Sequence, residues 1–355
     1  MTPDEFQEIR HDYHRFISKK VTFSAICVAI SFVAIVLSVT IGQYSISFLD
    51  SYGVIIDHIL GRPLDEMSNH IIWELRMPRA LMAVFVGAGL AVCGAAMQSM
   101  MRNPLADPYT TGVASGASLG AAVAIILGVC IIPAVGGQSA IVVNAFAFSL
   151  IPVCVIVLIS KFKKVTPTTM ILSGIAVMFI FSATTSMLML AANPSDLAEV
   201  YIWTVGTLGK ASWSNLPIVA AVTLSGLAVL VAGSKSLNIL AMGDKGAKSL
   251  GVNPTRLRLV FMVTVAVMTA TMVSFTGTIG FVGLVAPHVV RIFIGSDNKY
   301  LIPCSAAFGA LFMICVDSVA KVVSNTGLPV GVITALVGGP IFLIILIKMQ
   351  KRVWR

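Results

Sequence analysis

Long apolar stretches separated by short polar segments organise this chain from end to end. Ten of them, at 21–41, 79–98, 109–129, 140–160, 168–192, 215–233, 258–275, 281–295, 302–320 and 329–348, approach the length a membrane crossing needs. A helix must supply about 20 mostly apolar residues to cross roughly 30 Å of hydrocarbon. None of the stretches alternates apolar and polar positions as barrel strands do, so the spans are helical. The pattern predicts an all-α, polytopic membrane protein with about ten transmembrane helices.

Composition narrows the picture further. Hydrophobic residues make up 57% of the 355 positions and charged residues only 11%, against roughly 25% charged in a soluble domain. No segment between spans is long enough for a soluble core of its own. The chain therefore divides into an N-terminal tail, 1–20, and one membrane domain, 21–355. The tail mixes Asp4, Glu5, Glu8 and Asp12 with Arg10, Arg15, Lys19 and Lys20. The run after it can span and has no small-x-small cleavage site, so it is read as a retained first span.

Charge sets the orientation. With both termini inside, five of the 24 Lys and Arg residues (Arg62, Arg76, Arg79, Lys210 and Lys321) lie outside and the other 19 inside. The opposite topology would violate the positive-inside rule. The net charge of +9 does not point to nucleic acid, because the cations are scattered over short loops rather than gathered on one basic module. Cys27, Cys93, Cys130, Cys154, Cys304 and Cys315 lie in or beside apolar runs and form no C-x-x-C pair, which argues against a metal site or disulfide framework.

Four segments carry candidate chemistry. Between the sixth and seventh spans, Asp244–Leu250 reads as a short helix stopped by Gly251, with Pro254 beyond. A phosphate loop is excluded because Ala247 stands where a glycine is required. A short helix on the inner face suits docking into a groove of a soluble partner. Gly112, Gly116 and Gly120 share one helix face and predict close backbone packing. On the outer side, Arg76 and Arg79 flank Pro78, and Asp317 precedes Lys321 by one helical turn, a spacing that pairs them. Gly277, Gly280, Gly283 and Pro287 interrupt an apolar run, as helices bordering a pathway often are. His288 there is a lone histidine, and no chain of Asp, Glu and His residues could pass protons.

At these segments the sequence resembles the FecCD-type permeases, the membrane subunits of ABC importers for iron siderophores, haem and cobalamin. The likeness rests on LRMPRALMAVFVGAGLAVCGAAMQ, NPLADPYTTGVASGASLGA, AMGDKGAKSLGV, GTIGFVGLVAPHVVR and LPVGVITALVGGPIF, in order from about Trp73 to the C-terminus. It implies the type II ABC importer permease architecture and a homodimer in the cell membrane. Two ATPase subunits would bind inside, an extracytoplasmic binding protein would deliver the solute, and no cofactor or catalytic residue would lie on this chain.

Residue by residue, the resemblance implies an ATPase coupling helix over Gly243, Asp244, Lys245, Gly246, Ala247, Lys248, Ser249, Leu250, Gly251 and Val252. It implies binding-protein docking at Arg76, Arg79 and Lys321, where Lys321 replaces an arginine and loses the bidentate fork. It places a cytoplasmic gate at Asn103, Leu105, Pro167 and Thr168. Hydroxylated residues of the fifth span, Ser182, Thr184, Thr185 and Ser186, are candidates for the pathway wall. Two rival classes lack their signatures. An ion-coupled transporter wants paired intramembrane carboxylates and a membrane enzyme wants clustered His, Asp or Glu at mid-span, yet Asp317 alone is a plausible buried acid.

Overall fold

The computed structural model describes residues 3–353 except 45, 63–64, 163–164 and 324–327, with side chains from residue 17 onward apart from 346 and 348–353. Every element among the described residues is helical. The helices are α1 (Pro3–Thr40), α2 (Phe48–Ile59), α3 (Glu66–Asn69), α4 (Met77–Met101), α5 (Val113–Leu127), α6 (Gly137–Phe162), α7 (Pro167–Leu190) and α8 (Pro194–Val205). They continue as α9 (Leu216–Ala232), α10 (Ser234–Ala241), α11 (Asp244–Ser249), α12 (Pro254–Thr276), α13 (Val282–Ile294), α14 (Asn298–Val322) and α15 (Val330–Val353).

Ten of these, α1, α4, α5, α6, α7, α9, α12, α13, α14 and α15, overlie the ten apolar stretches. Six are long and apolar enough to cross a membrane alone, and α9 with α10 makes a seventh, bent by 59° at Gly233. The remaining apolar helices, α5, α13 and the described part of α15, are shorter. The tail and first span are one continuous helix, so no structural break marks residue 20. Residues 1–2 of the tail lie outside the described residues.

The core forms around α4, of whose apolar window 78% is buried. Small residues make that possible, because lipid offers no hydrophobic drive between helices and close backbone approach must supply the packing. A Cβ on Gly87 would strike the Gly309 carbonyl of α14, and one on Gly94 would strike the Gly283 carbonyl of α13. On α5 the predicted close approach is to α6: Gly116 faces Phe148 and Gly120 faces Asn144. Gly112 sits one step before α5 in a left-handed turn (φ +88°).

The broken run ends α12 at Gly277 (φ +69°) and restarts as α13 after Phe281, itself left-handed at φ +68°. Two further segments meet this break. Thr207 N donates to Thr276 O at 2.7 Å, and Gly331 N donates to Gly206 O at 3.1 Å. The outer segment 42–78 contains α2, α3 and a π-helical turn over His70–Arg76. Pro78 explains the wide turn: it has no N–H to give the preceding turn, and Met77 N reaches back to Ile72 O. A helix the sequence pattern did not mark, α8, fills the segment after the fifth span.

Candidate functional site

The three outer cations, up to 245 positions apart in the chain, line one cavity of about 280 Å3 together with Gly42, Tyr44 and Leu75. They are not equivalent. Arg76 is buried, and its guanidinium donates to Val39 O (3.2 Å), Thr40 O (3.0 Å) and Tyr44 O (2.5 Å). It thus satisfies carbonyls that the C-terminus of α1 would otherwise leave orphaned. Lys321 lies within the last turn of α14 rather than beyond the span, and it is buried. Its Nζ donates to Ser38 O and Oγ and pairs with Asp317 Oδ2 at 3.1 Å.

The expected Asp317–Lys321 pair therefore forms, and Arg79 joins it. Arg79 Nη2 stands 2.8 Å and Nε 2.9 Å from Asp317 Oδ1. Asp317 is fully buried, whereas the Arg79 side chain keeps 21% exposure. Of the three cations, Arg79 is the one most open to a partner; the other two knit α1 to α14 and to the start of α4. No sequence pattern paired Arg79 with Asp317, because the contact needs α4 laid against α14.

At the opposite end, α11 forms where the sequence placed a short helix. Gly243 precedes it at φ +97° and Gly251 closes it at φ +74°, where Val252 N donates to Ala247 O. Ala247 is buried, while Lys245, Lys248, Ser249 and Leu250 are exposed, so the helix presents its polar face and Leu250 outward. A groove of about 690 Å3 runs beside it, between Ser160–Phe162 and Lys248–Thr255. Asp244 opens the helix and is held by Arg258 of α12 through both carboxylate oxygens. That hydrogen bonding keeps the Asp244 carboxyl below its ordinary range, against a smaller opposing effect of burial. Sequence reading passed over Arg258, one of several loop-flanking cations; its complete burial is the signal only the fold supplies.

The gate candidates sit at the same end. Arg102 closes α4 in a left-handed conformation, and Asn103 Oδ1 accepts from Leu105 N at 2.9 Å in the turn that follows. Leu105 is 46% exposed. Pro167 and Thr168 form the first turn of α7, capped by Thr166. On α7, Ser182, Thr184 and Ser186 are exposed and Thr185 is half-buried. Thr184 and Thr185 spend their hydroxyls on Ile180 O and Phe181 O. Only 11% of the α7 apolar window is buried within the chain.

Comparisons with known proteins bear on the family and the fold. The FecCD transport family matches residues 30–348. An ABC transporter permease protein of Methanocaldococcus jannaschii is 38% identical, over 98% of this chain and all of that protein. The cobalamin import system permease of Halobacterium salinarum is 40% identical over 81% of this chain and 76% of its own length. The hemin transport system permease of Yersinia pestis is 34% identical over 80% and 85%. A solved structure described as an inward-facing metal-chelate type ABC transporter superposes with a TM-score of 0.81 at 30% identity, covering 92% of this chain and 99% of that one. The chain thus belongs to the FecCD transport family, as a multi-pass membrane permease subunit of an ABC importer whose catalytic work is done on other chains.

Proposed function

We propose that the chain imports a metal chelate, ferric chelates first and cobalamin or haem next, as one half of a homodimer with both termini in the cytoplasm. The observation that carries the reading is α11, a six-residue helix that turns Asp244 and Ala247 toward the membrane domain and offers Lys245, Lys248, Ser249 and Leu250 beside an open groove. Such a surface fits a cleft on a soluble ATPase, one per protomer. At the other end a delivery protein docks by its acidic side chains onto the cavity edged by Arg79, with Arg76 and Lys321 forming the floor.

The second protomer covers α7, whose outward face joins apolar Leu172, Phe179 and Met187 to the hydroxyls of Ser182, Thr184 and Ser186. A wall whose threonine hydroxyls are already bound to their own helix attracts a solute weakly. A bulky chelate then passes without being trapped, and selection rests with the delivery protein. Asn103, Leu105, Pro167 and Thr168 close the path at the cytoplasmic end. ATP binding brings the two ATPases together, α11 moves with them, and the helices rock between outward- and inward-open states.

The test is vanadate-sensitive uptake of a ferric chelate into proteoliposomes holding the permease, its co-purifying ATPase and its delivery protein. Uptake that persists without ATP and without the ATPase refutes the reading. Leu250→Asp, on the exposed side of α11, is expected to abolish uptake while leaving the permease folded.

A further inference from the structure

Among the described residues Arg258 is the largest fully buried side chain, and its contacts fan out over three segments. Its Nε donates to Met100 O at 3.2 Å, at the end of α4. Its Nη1 reaches Val165 O at 3.5 Å, two residues before α7 begins at Pro167. Its Nη1 and Nη2 together grip the Asp244 carboxylate at the N-terminus of α11. A guanidinium holds its five donors in one rigid plane, so a shift of the carboxylate cannot be absorbed by one bond alone.

The placement of these partners matters. Met100 lies three residues before Asn103, and Val165 lies two before Pro167, so both gate segments hang from backbone that Arg258 holds. By contrast, α11 has few other ties to the membrane domain: Ala247 is its sole buried residue. Its partner α10 is fixed separately, where Asn238 accepts from Asn298 N and Nδ2 and donates to Asp297 Oδ1. Between α10 and α11 stands Gly243, at φ +97°, with the Arg102 guanidinium against it in the space a Cβ would need. The carboxylate of α11 is thus anchored on one side by Arg258, while the chain beside it can turn at a glycine.

Resting on the importer reading above, we infer that the Arg258–Asp244 fork transmits movement of α11 to both gate segments, which makes Arg258 the positioning residue through which ATPase motion opens the path. A buried arginine that only filled space would be replaceable by any large side chain with its carbonyls satisfied. One that transmits must keep the fork and its carboxylate together.

The experiment uses the permease in complex with its co-purifying ATPase, reconstituted in liposomes. Reporter cysteines at Leu105→Cys or Thr168→Cys, in a background without the six native cysteines, are labelled from the cytoplasmic side with a charged thiol reagent. In the parent, ATP with vanadate is expected to change the labelling rate. With Arg258→Lys, the ATPase stays bound and hydrolyses ATP at its basal rate. The nucleotide-dependent change in labelling then falls by roughly tenfold, within the range for residues on a coupling route. Asp244→Asn reproduces the loss and Asp244→Glu restores most of the response, a contrast that keeps the test open should Arg258→Lys misfold. Gates that respond like the parent in Arg258→Lys or Asp244→Asn overturn the inference. So does loss of the ATPase from these variants, which would make the pair a docking contact. A parent gate deaf to nucleotide would instead bring down the gate placement in the reading above.

Discussion

The charge cluster at the outer end lends itself to a quantitative test. Asp317 is fully buried and faces Arg79 at 2.8 Å and Lys321 at 3.1 Å. Asp317→Asn keeps the shape and removes the only carboxylate paired with either cation among the described ion pairs. An amide can still accept from Arg79, but its NH2 then opposes either Lys321 or the guanidinium. Removing one member of a buried ion pair costs about 3–5 kcal/mol. Because Arg79 keeps some solvent contact, the lower end of about 3 kcal/mol applies. For 355 residues at roughly 2.1 cal/mol/K of unfolding entropy each, that is about 4 °C in the melting midpoint.

The assay is thermal unfolding of purified permease in detergent, repeated for Lys321→Met and for the double variant. Lys321→Met alone removes a buried cation together with its contacts to Ser38. The double variant removes the stranded pair, so it is expected to recover at least about 1 kcal/mol relative to additivity. A single variant melting within 1 °C of the parent (roughly 0.7 kcal/mol on the same scale) would refute the argument, as would strict additivity in the double.

Other outcomes follow from the same geometry. Arg79→Gln is expected to weaken delivery-protein binding measurably by titration, and to do so more at low salt, where exposed charges act furthest. Arg76→Gln instead lowers the melting midpoint, since it uncaps two carbonyls at the end of α1, Val39 and Thr40, and releases that of Tyr44 just beyond it. Gly94→Ala drives a methyl into the Gly283 carbonyl and is expected to destabilise by at least about 1–3 kcal/mol. Gly53→Ala, with open space around it within α2, gains up to about 1 kcal/mol; equal melting of the two would contradict the packing. The Asp244–Arg258 contact has a depressed carboxyl, so its contribution is whole above the ordinary carboxylate range and fades only as pH falls below it. Gate response measured from pH 8 to 5 should therefore be flat with respect to this pair, and a loss beginning near pH 6 would point to another group.

Hydrophobic runs, loop charges and a handful of glycines specified a great deal without any fold. A run of apolar residues can satisfy its backbone in lipid only as a helix, so the ten apolar helices were readable one by one. The short helix at Asp244 was equally local: Gly251 at its end and Pro254 beyond mark where it stops. Asp317 and Lys321 were paired by helical spacing alone. Contacts between distant segments depend on which helix lies against which, and apolar faces that look alike do not encode that choice. Hence Arg79 joining Asp317 across α4 and α14, Arg76 turning inward to α1, and Arg258 uniting Met100, Val165 and Asp244 came only from the tertiary structure. The same holds for α8 and for the 59° angle at which α10 leaves α9, since the polar Ser234–Ser236 that ends the apolar run at Gly233 does not specify a direction. Sequence determined the elements and the chemistry available at their ends; packing decided which charges meet, which are buried, and which remain open to partners.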